Sequence, residues 1–566
     1  ASRAIGMYLL QMLGIFVGRT YDMLTGLGLM ALLLVLQEPE RLCDVSFLMS
    51  FGAVLGICIL TPMLSGDGRE RDADAELEVK GISAWLRTVA DILGDSAYER
   101  NKYREGWRKV AYEGIQRIVS AVKGGFAASV GVILFTLPVQ LWFFYEIPVY
   151  SVLLNLLVLP FMSVVVAGGI LSLIPGLGLV GTVDCLILWW YEWICGRFAQ
   201  LPGAIWCVGR PEVWQIVCYY VGILLLVFGR EYVEEWKRRG TYGEKNVPGD
   251  RLHSARTPHL IAVVMILGLL IRLLTGNFDC GSRVTFLDVG QGDGIVVETG
   301  QGAYLFDCGS TSRKNIGEYV LKPYLKSRGT RSLRGVFVSH PDEDHMNGVI
   351  ELLENGADWG IVVEQLFLPA IAEEKRTESF AALLAAAEAA EVPVSYIKCG
   401  DEIRDSQLRL LCLHPEENTT LADANAYSEC FYVEVFAKKM KQEAIDDRKA
   451  NDASGGSAIE GSGENGSFAG NGERKDFRMN DGKINILLTG DVEGEGERQL
   501  MQELQSMQGS RSLQEALSLQ TTRRLQEQRG QREFRVDILK VAHHGSRYST
   551  GAEFLEIVRP ELAVVS

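Results

Sequence analysis

Two histidines and two spaced aspartates fall within six residues at His340-Pro341-Asp342-Glu343-Asp344-His345. Imidazole and carboxylate together suit zinc or manganese, and a short loop bearing four such groups can reach two ions about 3.5–4 Å apart. The chain has 7 histidines, and two more of them form the pair His543-His544. A solvated acidic loop with histidines by chance is the plainer explanation, but four of the seven falling in two short clusters argue against it. Two more carboxylates stand where apolar runs end: Asp307 after Ala303–Phe306, and Asp491 after Ile484–Leu488 and Thr489-Gly490.

The flanking pattern says how these groups are held. Val336–Val338 reads as a strand and Gly348–Leu353 as the start of a helix, so the first cluster belongs to a strand-to-helix loop. His543 follows the strand Val536–Val541. From Arg283 onward the pattern is that of an α/β domain, with strands at Val284–Val289, Gly294–Thr299 and Ala303–Phe306 around a glycine-rich turn, Gly290–Gly294. Gly290-Gln291-Gly292 lacks the spacing of a dinucleotide fingerprint, and no GxxxxGK[ST] occurs. Glu318–Ser327 reads as a helix, and Lys322, Lys326, Arg328, Arg331 and Arg334 make the approach to His340 basic, a patch that would hold phosphates near the metals. A solvated helix face explains the same run of charge. A β/α stretch over Glu364–Leu413 and a strand at Tyr432–Phe436 follow. Residues 446–481 carry too few apolar groups to fold alone, which predicts a disordered insertion, and residues 497–529 read as a glutamine-rich helical excursion.

The first half has a different solvent. Of 566 residues 48% are hydrophobic, and they concentrate in Phe47–Leu64, Val122–Phe144, Val149–Ile174, Val180–Ile194, Val213–Phe228 and Leu260–Leu274, each near the length that crosses a ~30 Å hydrocarbon core. Residues 4–36 read as two short spans or a re-entrant hairpin. Trp189, Trp190, Trp193, Trp206 and Trp214 edge these segments as interfacial aromatics do. An integral, multi-pass membrane protein is expected. Pro138, Pro148, Pro160 and Pro175 are expected to break or separate its helices, as happens where helices line a polar path. Between spans, residues 65–117 read as a surface loop with Trp85, Leu86, Val89 and Leu93 at helical spacing. The basic stretch 230–258 should stay in the cytoplasm, so that the last span delivers everything after Asn277 to the outside.

A formal charge of −15 argues against a strongly basic nucleic-acid binder. The 11 cysteines show no zinc spacing; Cys280, Cys308, Cys399, Cys412 and Cys430 leave a disulfide possible but unpaired by sequence. The sequence opens at Ala1 and stops within an apolar run at Val564-Val565-Ser566, which suggests a fragment.

Taken in order, Asp307, His340-Pro341-Asp342-Glu343-Asp344-His345, Leu488-Thr489-Gly490-Asp491 and His543-His544-Gly545-Ser546 resemble the successive metal motifs of the metallo-β-lactamase superfamily. With Phe286–Asp293 before them and a polytopic region before that, the chain resembles the ComEC family of DNA-uptake channels. Arg3-Ala4, Pro39 and Phe47–Ile57 are similar to that family's early membrane signature, from which Asp44–Phe51 departs. The resemblance implies a polytopic α-helical membrane domain followed by a metallo-β-lactamase-like αββα sandwich. Its parts are a competence-type transmembrane domain at 1–229, a cytoplasmic linker at 230–258, a transmembrane helix at 259–276, and a hydrolase domain at 283–566 with insertions at about 440–482 and 497–533. It also implies a missing N-terminal domain and missing last strands.

The family reading assigns two divalent ions, manganese or zinc, to His340, Asp342, Asp344, His345, Asp491 and one of His543 and His544, with His340, Asp344 and Asp491 central to catalysis and Asp491 bridging. Asp307 would orient a histidine. Asp342 stands where the wider superfamily has histidine, and Asn425 in place of another; a hard carboxylate there shifts preference toward manganese or magnesium. The implied function is DNA internalisation in natural competence, with an extracytoplasmic nuclease domain that degrades the non-transported strand, and with a DNA receptor and a separate ATPase as partners. Two other classes fit the same residues: a membrane-anchored hydrolase of another phosphoester, and a non-catalytic DNA-binding channel.

Overall fold

Long apolar runs satisfy their backbone groups out of water only by folding into helices, and the first half of this chain does so. The computed structural model describes residues 2–18, 22–65, 100–174, 178–240, 256–276, 281–370, 378–416, 425–436, 482–518 and 535–566. Two units emerge, Ala1–Asn277 with Lys326–Gly329, and Phe278–Leu325 with Thr330–Ser566.

The first unit is helical, with helices at Ser2–Phe16, Met23–Gln37, Val45–Leu55, Arg100–Phe144, Ser151–Ser172, Gly178–Ala199, Val213–Gly240 and Arg256–Leu274. Among the described residues three helices are long and apolar enough to cross a membrane, Val45–Leu64, Val119–Phe144 and Ser151–Ser172, and shorter apolar helices include Met23–Gln37, Val213–Gly229 and Ala262–Leu274. Leu153, Val164 and Ile170 are exposed on the third of the long helices, as side chains facing lipid would be. The expected loop over 65–117 and linker over 230–258 are both shortened by helix: one helix begins at Arg100 and another runs on to Gly240. Residues 66–99, with Trp85, Leu86, Val89 and Leu93, and residues 241–255 lie outside the described residues.

Pro138 and Pro160 behave differently from expectation. Pro138 and Pro160 sit inside continuous helices, and Pro148 ends a short strand, Glu146–Pro148; Pro175 lies outside the described residues. A proline inside a helix strands the carbonyl four residues before it. For Pro138 that carbonyl is Leu134 O, and the fully buried Tyr219 hydroxyl donates to it at 2.7 Å, while Tyr220 donates to Phe135 O at 3.0 Å. A neighbouring helix thus supplies the bond that the proline removed, and the helix does not break. Tyr219→Phe is expected to destabilise the helical unit by about 1–3 kcal/mol, the cost of a buried acceptor left unpaired. Thermal unfolding of the detergent-solubilised chain measures it, and an unchanged midpoint would sink this account.

The second unit is built of two sheets. The first has the order β1 (Arg283–Phe286), β2 (Gly294–Thr299), β3 (Gly302–Cys308), β4 (Ser332–Phe337), β6 (Leu366–Pro369), β7 (Val394–Ile397), with the short β5 (Val362–Val363) also on β4. The second runs β8 (Glu402–Arg404), β9 (Leu408–His414), β10 (Cys430–Phe436), β11 (Lys483–Leu488), β12 (Ile538–Lys540), β13 (Leu562–Val564). Strands β3, β4, β6 and β7 are mutually parallel, as are β11, β12 and β13. Helices α1 (Lys322–Arg328), α2 (Glu343–Trp359) and α3 (Glu378–Ala389) follow the first sheet's strands, and α4 (Glu495–Ser518) and α5 (Ala552–Val558) follow the second's.

Three apolar layers hold this domain. Between the sheets, Ile295, Val297, Phe306 and Phe337 meet Leu410, Phe431, Val433 and Ile486. Phe337 is stacked between Phe306 and Phe367, with centroids at 4.7 and 4.6 Å, and Phe431 meets it edge-on at 5.2 Å. Outside the first sheet Leu305 and Val336 pack under Val349, Leu352 and Leu383 of α2 and α3. Outside the second, Leu487 and Leu539 pack under Leu500, Leu504 and Phe554 of α4 and α5. Helices cover both outer faces, which is why strands such as β3 and β10 are buried along nearly their whole length. This is the expected αββα sandwich. Cys308, Cys399, Cys412 and Cys430 are free thiols, and Cys280 lies outside the described residues, as do residues 437–481 of the expected insertion and residues 519–534 beyond α4.

Candidate metal centre

In open parallel sheets, ligands bind beyond the carboxyl ends of the strands. Four such ends supply this site: β3 carries Asp307 as its last residue but one, β4 leads to Ser339–His345, β11 leads to Asp491, and β12 leads to His543-His544. The helix after β4 begins at Glu343, five residues earlier than the apolar pattern suggested, with Asp342 as its N-cap and Glu343 and Asp344 in its first turn. Carboxylates at a helix N-terminus are favoured by the unpaired amides there, so the cluster that reads as a loop is partly the helix start itself.

Asp344, His345, Asp491 and His544 each offer an atom within 4.8 Å of the others. His345 Nε2 lies 3.3 Å from Asp491 Oδ2, and His544 Nε2 lies 3.5 Å from the same oxygen and 3.4 Å from Asp344 Oδ2. Four donors in a tetrahedral array, each about 2.1 Å from an ion, stand about 3.4 Å from one another. Both Nε2 atoms are buried without a hydrogen-bond partner among the described residues. The donor set and its spacing therefore fit a divalent ion.

The backbone is forced at the same place. His543 and His544 both have positive φ, 49° and 50°, a conformation that side chains other than glycine's adopt at a cost of about 1–3 kcal/mol each. The consequence is that the two rings part: His544 turns into the cluster, while His543 Nδ1 meets Glu493 Oε2 at 2.9 Å.

Asp307 sits beneath. Its Oδ1 accepts from Ser339 N at 2.7 Å and its Oδ2 lies 3.0 Å from His345 Nδ1, which fixes the ring so that Nε2 faces the other donors. His340 is buried against His345, ring centroids 4.0 Å apart, with Nε2 3.6 Å from Asp342 Oδ2 on the more exposed flank. Asn425 opens a short turn, Asn425–Tyr427, and its carbonyl accepts from Ser428 N.

The basic residues are placed elsewhere. Arg331 and Arg334 stand at the start of β4, roughly 20–30 Å along the strand from His340. Lys322 lies 5.2 Å from the Trp359 ring, Lys326 and Arg328 fall in the last turn of α1, and Arg334 lies over Gly302.

Three charged residues that the sequence did not single out belong here. Asp293 donates from its backbone to Asp344 O at 3.1 Å and accepts from Gly309 N at 2.9 Å. A β-carbon on Gly292 or Gly309 would collide with the opposing backbone, so glycine alone lets this turn reach the helix start. The Asp293 carboxylate is buried against Lys540, itself 1% exposed on β12. Glu429 is also 1% exposed and neither of its oxygens has a hydrogen-bond partner among the described residues. It lines a cavity of about 10 Å³ between the sheets, with Asp293, Asp307, Ser339 and Lys540, room for about one water.

The charges set one another. Burial alone would push the His345 imidazole down, but Asp307, Asp491 and Asp293 raise it well above the ordinary range. His544 is raised chiefly by Asp344. Burial would lift Asp491, yet His345, Lys540 and His340 hold it far below the usual carboxylate range. A divalent cation bound here would compete with protons for the nitrogens of His345 and His544. Glu429 has no such partner: burial, with Asp307 nearby, pushes it well up.

Known proteins resemble both halves. The family described as Competence protein matches residues 1–232, and the Metallo-beta-lactamase superfamily matches residues 287–400. ComE operon protein 3 of Bacillus subtilis is 23% identical over 452 residues, 76% of this chain and 45% of that protein. Recombination protein 2 of Haemophilus influenzae is 23% identical over 459 residues, 78% of this chain and 45% of its own. The chain thus spans about half the length of the curated relatives it matches. Among solved structures, a subclass B3 metallo-β-lactamase of Bradyrhizobium japonicum aligns with 46% of this chain and 75% of its own, at 11% identity and a TM-score of 0.23.

Proposed function

Given that this chain is of the ComEC family, its competence-protein region leading into a metallo-β-lactamase domain, we propose that it is the membrane channel of DNA uptake and that its C-terminal domain hydrolyses phosphodiesters of the strand that is not transported. The observation that supports hydrolysis is the convergence of Asp344, His345, Asp491 and His544 within 4.8 Å.

When bound, divalent ions supply Lewis acidity and an activated water for in-line attack at phosphorus. The chain's own residues do the rest. Asp344, His345, Asp491 and His544 hold one ion, and His340 and Asp342 stand beside it where a second would be held. Asp307 keeps the His345 proton on Nδ1, leaving Nε2 free as a donor. The carboxylate of Asp342 in place of an imidazole favours manganese over zinc. Arg331 and Arg334, at the start of β4, are where a long polyanion would be met at a distance from the bond that breaks. The hydrolase domain lies outside the cytoplasmic membrane in this reading, and a DNA receptor and a separate ATPase deliver and pull the strand.

The test is cleavage of single- and double-stranded DNA by the full chain in detergent with manganese or zinc, beside Asp344→Ala. Manganese-dependent cleavage, reduced at least about 100-fold in the variant, is expected, because the substitution removes a charged donor. A chain that leaves DNA intact but cleaves a small phosphodiester would replace this reading with the small-ester hydrolase. A folded, metal-loaded chain that cleaves neither would leave a binding role.

A further inference from the structure

A lysine at the end of a buried strand needs an explanation, since an unpaired ammonium there would cost several kcal/mol. Lys540 has one. Its three protons face three acceptors: the Asp293 carboxylate, Gly490 O at 3.1 Å and Asp491 Oδ1 at 3.5 Å. An ammonium has three donors and no acceptor, so it is saturated and cannot turn elsewhere.

This divides the two oxygens of Asp491. Oδ1 faces Lys540, while Oδ2 is the atom near His345 Nε2 and His544 Nε2. Asp293 is anchored in turn: Ser566 Oγ donates to its Oδ1, and its backbone is tied to Asp344 and Gly309. Lys540 therefore connects the glycine turn before β2 to the carboxylate after β11.

We propose that Lys540 is a positioning residue of the metal centre: by holding Asp491 Oδ1 and Asp293 together, it restricts Asp491 to one oxygen as a metal donor. This rests on the metal-centre reading above. A carboxylate free to offer both oxygens would raise the coordination number of the ion, change its geometry, and loosen the set of His345 and His544 around it. Residues that orient metal ligands from behind typically change affinity about 10–100-fold when removed.

Removing Lys540 alone would also leave an uncompensated buried carboxylate, and added negative charge attracts cations. The informative variant is therefore the neutral pair Asp293→Asn with Lys540→Met, which removes one buried cation and one buried anion together. The readout is cobalt(II) titration of the full chain in detergent, followed by visible absorption and competition with manganese. The parent should show the intense d–d bands of an ion of low coordination number, four or five. The double variant should fold, bind cobalt about 10–100-fold more weakly, and show the weaker bands of a higher coordination number. Parent-like affinity and bands in the double variant overturn the assignment. Failure of this charge-neutral variant to fold overturns it too, because Lys540 would then belong to the framework of the sandwich. A parent chain that binds neither cobalt nor manganese would instead overturn the metal-centre reading itself.

Discussion

Asp491→Ala is expected to abolish metal-dependent turnover and to weaken ion binding by roughly 10²–10⁴-fold. The estimate follows from the burial of the site: Asp491 is 2% exposed and faces His345, His544 and Lys540, and removing one partner of a buried charge set costs about 3–5 kcal/mol, with each 1.4 kcal/mol a factor of ten. Titration calorimetry with manganese reads the affinity directly. The same measurement separates the two adjacent histidines. His544→Ala should follow Asp491→Ala, whereas His543→Ala should bind the ion nearly as the parent does, because its ring is turned to Glu493. Parent-like binding by Asp491→Ala would remove that residue from the centre.

Glu429→Gln should stabilise the hydrolase domain at neutral and alkaline pH. Burial raises the Glu429 carboxyl well above its ordinary value of 4.5, so the folded domain holds it neutral where the unfolded chain would ionise it. The sign follows from proton counting. Below pH 4.5 the acid is protonated in both states and costs nothing; above it the unfolded state gains by releasing the proton, and stability falls until the folded value is passed. Glutamine has the shape of the neutral acid and no proton to lose, so the variant escapes that fall. Asp293, Asp307 and Lys540 face the same cavity. Melting temperature measured from pH 4 to 9 should coincide for parent and variant at the acid end and diverge upward for the variant. Each 1 kcal/mol relieved corresponds to about 2–4 °C in a domain of this size. Parallel curves across the range would show that Glu429 is not held neutral.

The sequence made some of this legible and hid the rest for identifiable reasons. Strands such as Gly294–Thr299 and Lys483–Leu488 end within a residue or two of where their apolar runs and glycines place them, because local pattern and burial agree there. Asp307, Asp344, His345 and Asp491 could be picked out because carboxylates and imidazoles stand out at the ends of apolar strands. Lys540 and Glu429 are buried as deeply, yet Lys540 sits inside a strand-like run where a single charge reads as the solvent-facing member of an alternation, and Glu429 stands beside Ser428 just before a strand, where a charge reads as part of a loop. Their partners come from distant positions, Asp293 for Lys540 above all, and a contact across about 250 residues leaves no local signature. A charged residue flanked by apolar residues on both sides, as in Ile538-Leu539-Lys540-Val541, was the available hint. The start of α2 was missed because its first turn carries charge in place of apolar spacing. Pro138 misled for the complementary reason: its cost to the helix is local and visible, while the tyrosine that offsets it lies on another helix.

The donors of the metal centre are divided between the two sheets. Asp344 and His345 follow a strand of the first, Asp491 and His544 follow strands of the second, and about 200 residues separate Asp344 from His544. Neither sheet alone can assemble more than half of the set. A chain whose sheets have not yet mated in register has no centre to load, and an ion that binds the mated form adds its binding free energy to that form alone. A metal-dependent activity of this domain is in this sense interlocked with its own maturation, because the ion has its full donor set only in the mated form.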